Sequence, residues 1–250
     1  MNKTPTFKQD LQAFWQFIRY PRLNERFPGR RGDGWWSDFK IHTPFGLIWK
    51  WLFFLWGMSV FVLAPIVLGV SGMLGASNRL HDVDISRLVL LAAIWAPLVE
   101  ELLFRLGLRR PRLAMLYVPV LAYVLYTKAG IFNIVVVVLL LGLFIVLDLR
   151  RLTTVQYALP FKWRRLYCRF FPVIFHGSVL AFASMHLMNY EFSGGAASLL
   201  LPLLILPQWL TGMVIAWMRV RDSFACAVVM HALFNGCPVL LLALFGQLAA

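Results

Sequence analysis

The sequence predicts an all-α fold, a polytopic transmembrane helical bundle of about seven spans that follows an amphipathic interfacial helix. Composition is the first observation: of 250 residues, 60% are hydrophobic and 14% are charged, whereas soluble domains have about 45–50% apolar and about 25% charged residues. The second is that apolar runs near the roughly 20 residues needed to cross a bilayer recur along the chain. The third is that basic residues collect between alternate runs. Together these observations exclude a soluble enzyme, a disordered chain and a fibrous protein.

Residues 1–44 are predicted to form a cytoplasmic segment that contains the interfacial helix and a linker. Apolar side chains recur at helical spacing here, namely Phe7, Leu11, Phe14, Trp15 and Ile18. Thr4 and Pro5 are expected to cap and open this helix. A helix of this kind lies on a membrane leaflet, and packing of the N-terminus onto the bundle is the alternative. The linker follows at residues 28–36, which are rich in glycine and tryptophan.

Residues 45–250 are predicted to form one transmembrane domain. The seven candidate spans are 51–74, 88–108, 113–127, 131–147, 171–188, 199–218 and 225–245. The valine-rich run inside 131–147 would favour a strand in water, but in lipid it must be a helix because a lone strand leaves its backbone polar groups unpaired. The span 113–127 is short, so an incomplete hairpin with the next span is an alternative.

The basic residues predict the orientation of the spans. The chain has 24 Lys and Arg against 11 Asp and Glu, and twenty of the basic residues fall on one side if the spans alternate. Because cytoplasmic loops attract Lys and Arg, we predict a cytoplasmic N-terminus and an external C-terminus in a multi-pass protein of a bacterial inner membrane. The net charge of +13 is then a topology signal. Membrane lipids are the expected partner, and nucleic acid is not.

Few ionisable or strongly polar side chains lie inside the predicted spans, and each is costly enough there to be a functional candidate. In chain order they are Glu100, Glu101, Arg105, His176, His186, His231 and Asn235. His176 lies about 80° around the helix from His186. We interpret His176 as a packed or backbone-bonded histidine, which leaves the other six as candidates for chemistry.

Helical spacing separates the roles of these residues. Glu101 and Arg105 are four positions apart with the acid first, so they are expected to pair. Glu100 points about 100° away from Glu101 and has no partner on its own helix.

The predicted spans 171–188 and 225–245 each carry a pair of candidate residues that are also four positions apart. His231 and Asn235 present two hydrogen-bond donors on one helix face, and the ring of Phe182 lies one turn before His186. A carboxylate, an imidazole and a separate pair of donors can activate water against an amide carbonyl and stabilise the resulting oxyanion. Hydrogen bonding that only holds the bundle together is the structural alternative. A zinc site built from Glu100, His186 and His231 is a further alternative.

Three motifs carry a resemblance to a known family. EExxxR at Glu100–Arg105, FxxxH at Phe182–His186 and HxxxN at His231–Asn235 occur in this order in apolar segments. The set closely resembles the CAAX protease and bacteriocin-processing (CPBP) family of multi-span intramembrane glutamic endopeptidases, which includes the Ras-converting CAAX endopeptidase. The resemblance covers roughly residues 88–240.

The resemblance implies a role for each matched residue. Glu100 together with His186 would activate water, and His231 with Asn235 would form the oxyanion site. Glu101 and Arg105 would be a structural pair, with Phe182 also in a supporting role, and no cofactor or metal is expected. The substrate would be a membrane-associated peptide or protein.

The spacing of the first two motifs departs from the family pattern. His186 follows Glu100 by 86 positions, where the family places the FxxxH helix soon after the EExxxR helix. The predicted spans also put Glu100 toward the cytoplasm and His186 toward the outside. Either the span boundaries are shifted, or the span 131–147 and its neighbour are peripheral additions.

Two functions of other classes compete with peptide-bond hydrolysis. A non-proteolytic membrane scaffold or immunity factor could use the same fold to hold a partner. Proton-coupled transport fits buried Glu and His residues, but the sequence has neither paired interrupted helices nor an inverted repeat. Hydrolysis is therefore the leading hypothesis and transport the weakest.

Overall fold

The computed structural model describes residues 4–23, 26–28, 38–79, 84–127, 130–149, 159–193 and 199–248. Of the described residues, 82% are helical, and they form ten helices and one two-stranded sheet. The predicted all-α class agrees with this architecture, since the sheet contains only six residues.

The first half of the chain contributes five helices. α1 is Phe7–Arg19, α2 is Phe45–Leu74 with a π-helical turn at Met58–Leu63, α4 is Pro111–Tyr126 and α5 is Ile131–Leu149. α3 covers residues 85–105 and consists of Ile85–Leu90, a π turn at Leu91–Trp95, Ala96–Glu100 and a second π turn at Glu101–Arg105, with a 3₁₀ turn after it at Leu106–Leu108.

The second half contributes the other five. α6 is Phe161–Arg169, α7 is Phe171–Met185, α8 is Leu201–Leu204, α9 is Leu206–Arg221 and α10 is Phe224–Leu248. A 3₁₀ turn at His186–Asn189 extends α7.

Three of these helical stretches are long and apolar enough to cross a membrane: Phe45–Leu74, Phe171–Asn189 and Phe224–Phe245. Pro111–Val124 and Ile131–Leu147 are shorter apolar helices. The chain thus has the character of a membrane protein, and the number seven stays a prediction.

The other two predicted spans are not straight helices. In the span 88–108, a π turn ends two residues before Pro97, where a proline ring cannot continue the regular hydrogen-bond ladder. The span 199–218 divides at Ile205, because α9 begins anew with Pro207 in its first turn.

α9 is the central helix of the bundle. Every residue from Thr211 to Arg221 is buried, and the helix packs against α1, α7 and α10. The rings of Trp217, Trp51 and Phe14 meet edge to face at centroid distances of 5.3–5.4 Å. The most buried helix is thereby fixed by large aromatic side chains from α1 and α2.

α1 packs onto this core and begins two residues later than the predicted cap implies. Thr6, not Thr4, is the N-cap: its hydroxyl accepts from the backbone N–H of Gln9, and the Gln9 side chain accepts from the backbone N–H of Thr6 at 2.9 Å. The expectation for Thr4 and Pro5 is wrong because the capping box needs the Gln that follows Thr6 by three positions. Phe14 and Phe17 are buried, so α1 belongs to the bundle.

Buried ion pairs join the N-terminal segment to the bundle. Asp10 contacts Arg221 at 2.7 Å, and Asp38 contacts both Arg110 at 2.7 Å and Arg219 at 2.5 Å. Burial lowers the pKa of Arg110, and the Asp38 carboxylate opposes this effect. Asp222 accepts from the backbone N–H of Thr43 at 2.7 Å. Three arginines that contribute to the predicted positive side are therefore internal structural charges.

A short sheet lies at the C-terminal ends of α2 and α7. β1, Ala76–Asn78, pairs antiparallel with β2, Tyr190–Phe192, with Ser77 opposite Glu191. Gly75 ends α2 with φ +57°, a left-handed conformation that glycine adopts without a side-chain penalty. Because β2 follows directly on the 3₁₀ turn that begins at His186, the sheet adjoins the residues described next.

Candidate active site

The three motif helices converge on one cavity. The cavity has a volume of about 430 Å³, and its lining includes Glu100 of α3, Phe182 of α7, His186, and both His231 and Asn235 of α10. Five of the residues singled out from the sequence thus face the same space. Glu101 and Arg105 lie behind it and are fully buried.

Glu100 and His186 share this cavity, although alternating spans predicted them at different depths. α7 narrows to a 3₁₀ turn at His186, and α3 carries π turns on both sides of the segment that ends at Glu100. Both residues thus face one space, and the difference in depth stays a prediction. π and 3₁₀ turns are frequent at functional sites, because side chains there point in directions that a regular helix does not allow.

His186 makes a hydrogen bond through one ring nitrogen, and its other ring nitrogen makes none to the residues that the structure describes. Its Nδ1 lies 3.0 Å from the carbonyl oxygen of Phe182, so Nδ1–H donates to that oxygen and Nε2 is the acceptor nitrogen. The ring of Phe182 packs edge to face against the imidazole at a centroid distance of 4.8 Å. This is the contact that their spacing predicts.

Glu101 and Arg105 form the predicted pair, and the structure adds a third member. The Nη1 of Arg105 lies 2.8 Å from Oε1 of Glu101, and Nδ1 of His231 lies 2.8 Å from the same oxygen. The guanidinium of Arg105 also stacks on Phe182, 3.7 Å from the ring centroid. Glu101 therefore links two helices and orients His231, which goes beyond a pair confined to α3.

Glu100 is the available carboxylate of the site. Its Oε2 is buried and makes no hydrogen bond within the described residues, and it lies 3.7 Å from Nε2 of His231. The side chain keeps 17% of its surface exposed to the cavity. A carboxylate held between two imidazole-bearing helices with unused acceptor capacity can take a proton from a bound reactant.

A second cavity of about 410 Å³ meets the first at Glu100 and His186. Its other walls are mainly apolar and include Leu103 of α3, Met185 of α7 and Tyr126 of α4. α4 corresponds to the predicted span 113–127, so this span is part of the site. Of the two helices expected to be peripheral, only α5 lines neither cavity among the described residues.

Polar residues that sequence reasoning passed over also line the first cavity. They are Asn78, Asn189, Tyr190, Gln208 and Thr211. The Oε1 of Gln208 and the hydroxyl of Thr211 are buried and have no hydrogen-bond partner within the described residues. Both lie in the predicted span 199–218, and a search for uncharged as well as ionisable polar residues would have found them.

Close packing brings α9 to the site. A Cβ built on Gly212 would lie 2.9 Å from Cδ1 of Phe182. Since no side chain fits in that space, glycine is what allows α9 to approach the ring that contacts both His186 and His231.

Two further expectations concern histidines. The Nε2 of His176 lies 2.9 Å from the carbonyl oxygen of Ile18, so the backbone-bonded interpretation of His176 is confirmed.

In the part of the chain that the structure describes, no group of three His, Cys, Asp or Glu side chains is arranged to hold a metal ion. The geometry therefore lends no support to the zinc site built from Glu100, His186 and His231.

Compared with known proteins, the chain has no significant match among family models, curated proteins or solved structures. The resemblance to the CPBP family thus rests on its three motifs. Any function has to be argued from the chemistry of the site.

Proposed function

We propose that this chain is an intramembrane endopeptidase that hydrolyses a peptide bond through a water activated by Glu100 and His186. The observation that carries the proposal is the position of Glu100, which lines a cavity together with His186, His231 and Asn235 and whose Oε2 makes no hydrogen bond within the described residues. This is the arrangement that the resemblance to CPBP-type glutamic endopeptidases implies. The substrate class is a membrane-associated peptide or protein.

The proposed reaction follows the path of one proton. Glu100, with His186 beside it, accepts a proton from water, and the hydroxide attacks the carbonyl carbon of the scissile peptide bond. The carbonyl oxygen becomes an oxyanion that accepts hydrogen bonds from His231 Nε2–H and the Asn235 amide. Collapse of the tetrahedral intermediate breaks the C–N bond, and the proton held by Glu100 passes to the leaving amine.

The charges around His231 support its role as a donor. An imidazolium donates from both nitrogens, so Nδ1–H can bind Glu101 while Nε2–H points to the cavity side near Glu100. Arg105 and His231 are the basic groups that contact the carboxylates of Glu101 and Glu100. A buried cluster of charges is tolerated when it is internally compensated and hydrogen-bonded.

The proposed setting is a multi-pass protein of a bacterial inner membrane with seven spans and a cytoplasmic N-terminus. The excess of Lys and Arg in alternate loops supports this orientation. In this setting α9, although buried by other helices, counts as part of the sixth span. The cavities would then lie within the bilayer, where a membrane-borne substrate can enter from the side.

The test compares membrane peptidomes of cells that express the wild type, Glu100→Gln or Glu191→Gln. Glu191 is a matched control because it is a glutamate of the adjoining β2 strand whose partner, Arg79, is also exposed. We expect cleavage products in the wild type and in E191Q and none in E100Q, with all three folded to the same extent. Products that persist in E100Q would overturn the proposal.

A second variant separates the proposed peptidase from a membrane scaffold. A phenotype that survives the double substitution of Glu100 and His186, with no cleavage product from any version of the protein, would favour the scaffold or immunity factor.

A further inference from the structure

α6 is a basic and aromatic helix on the surface of the bundle, away from the candidate active site. None of its nine residues is buried. Phe161 and Trp163 have 70% and 60% of their surface exposed. Exposure of this much aromatic surface to water is unfavourable in free energy. Aromatic rings of this kind are typical of the boundary between membrane and water.

Three cations lie on one side of α6. Lys162, Arg165 and Arg169 follow the three- and four-residue spacing that places them on one helix face, and all three are exposed. Among the side chains that the structure describes, no carboxylate forms an ion pair with them. Asp10, Asp38, Asp222, Glu101 and Glu191 are paired elsewhere, Asp84 caps α3, and Glu100 lines the candidate active site.

An apolar cavity of about 500 Å³ adjoins this face, between α6 and the first turns of α4 and α7. Its walls include Pro111, Met115, Trp163, Leu166, Phe170 and Ile174. A smaller cavity of about 320 Å³ shares Trp163 and Leu166 with it and is otherwise lined by Lys162, Arg165 and Arg169. A cationic recess and an apolar slot thus stand side by side.

We propose that α6 and this slot bind one anionic phospholipid, with the phosphate on Lys162, Arg165 and Arg169 and an acyl chain in the apolar cavity. Charge complementarity favours this ligand. The three cations attract an anionic headgroup, and the adjacent apolar cavity can hold a hydrocarbon chain that is attached to the same headgroup. Juxtamembrane clusters of Lys and Arg attract anionic lipids. Trp163 and Leu166 line both cavities, so they lie where the lipid headgroup joins the acyl chain.

The site is anchored to the bundle by a partly buried hydrogen bond. The hydroxyl of Tyr167 donates to the carbonyl oxygen of Gly107 at 2.7 Å, and burial raises the pKa of Tyr167, which keeps this donor protonated. Gly107 belongs to the 3₁₀ turn that directly follows α3. A lipid bound to α6 therefore braces the helix that carries Glu100, Glu101 and Arg105.

The test uses the purified full chain in a neutral detergent and measures bound lipid by native mass spectrometry together with the melting temperature. Phosphatidylglycerol and phosphatidylcholine are added in parallel, and glycerol 3-phosphate tests the headgroup alone. We expect phosphatidylglycerol to bind and raise the melting temperature, and neither of the other two to do so. An equal effect of glycerol 3-phosphate would assign the cations to a free phosphate and overturn the acyl-chain slot.

A variant pair tests the residues. In Lys162→Gln/Arg165→Gln/Arg169→Gln, the affinity for phosphatidylglycerol should fall on the order of 100-fold, at about 1 kcal/mol for each cation. Arg164→Gln is the matched control, because Arg164 lies on the same helix outside the cationic face and packs over Phe161. An equal affinity in the triple variant and the wild type, or an equal loss in R164Q, would refute the site.

A third variant tests the slot. Met115→Trp fills the cavity and should reduce phosphatidylglycerol binding while leaving the cations in place. Binding is measured directly in each experiment, so the outcome is independent of whether the chain cleaves peptides.

Discussion

His231 Nδ1 lies 2.8 Å from Glu101 Oε1, the same oxygen that accepts from Arg105. The two residues are 130 positions apart, and their contact joins α3 to α10 inside the bundle. One carboxylate oxygen of Glu101 therefore accepts from two groups. Removing Glu101 or Arg105 leaves the other with an uncompensated buried charge.

Arg105→Met should destabilise the protein strongly. Glu101 would remain buried without its principal counter-charge, and loss of one partner of a buried pair costs about 3–5 kcal/mol. Thermal unfolding in detergent measures the change. Arg87→Met is the control, since Arg87 is an exposed arginine near the start of α3. Equal melting temperatures for the two variants would contradict the role assigned to Arg105.

Gly212→Ala should impair both packing and the site. The added methyl would meet the Phe182 ring at 2.9 Å, and overpacking of a core typically costs about 1–3 kcal/mol. Gly69→Ala in α2 meets nothing within 4 Å and should be stabilising by about 0.5–1 kcal/mol, because alanine favours a helix. The two melting temperatures should therefore move in opposite directions, and a shared direction would show that Phe182 is not tightly held.

Asp38→Asn should destabilise the N-terminal attachment. Asp38 compensates Arg110 and Arg219, which are both buried, so the loss is expected to be about 3–5 kcal/mol. Asp84→Asn is a matched change at the N-cap of α3, where asparagine caps about as well as aspartate. Chemical or thermal unfolding of both variants checks the prediction, which fails if Asp38→Asn is as mild as Asp84→Asn.

Thr211→Val should separate stability from activity. The Thr211 hydroxyl is buried without a hydrogen-bond partner in the described residues, so an apolar group of similar shape should leave the melting temperature unchanged or raise it. If the hydroxyl contacts substrate, cleavage of the peptides found in the wild-type peptidome should fall or shift to other sequences. An unchanged peptidome would remove Thr211 from the substrate site.

Contacts within one helical turn could be predicted from the sequence. The pair Glu101 and Arg105 and the ring contact between Phe182 and His186 follow from a spacing of four, since helix geometry alone brings such side chains together. The contact between His231 and Glu101 could not be predicted in this way, because it depends on how α3 and α10 pack.

The π and 3₁₀ turns are features of the site that the sequence did not predict. Regular helices over residues 88–108 and 171–188 were expected to place Glu100 and His186 at different depths, whereas the structure has both residues lining one cavity. The helix around Glu100 has π turns on both sides of residues 96–100, and a 3₁₀ turn begins at His186. Composition and periodicity carry little signal for such turns.

By itself the sequence determined the helical class, the membrane character and the short set of polar residues available for chemistry, because scarcity of charge in apolar segments can be read without coordinates. Only the tertiary structure decided which residues share a cavity, that α4 lines it, and that Arg110, Arg219 and Arg221 are buried partners of aspartates. The physical reason is that hydrophobicity and helix periodicity are local properties of the chain. Charge compensation and cavities arise instead between helices that are far apart in sequence.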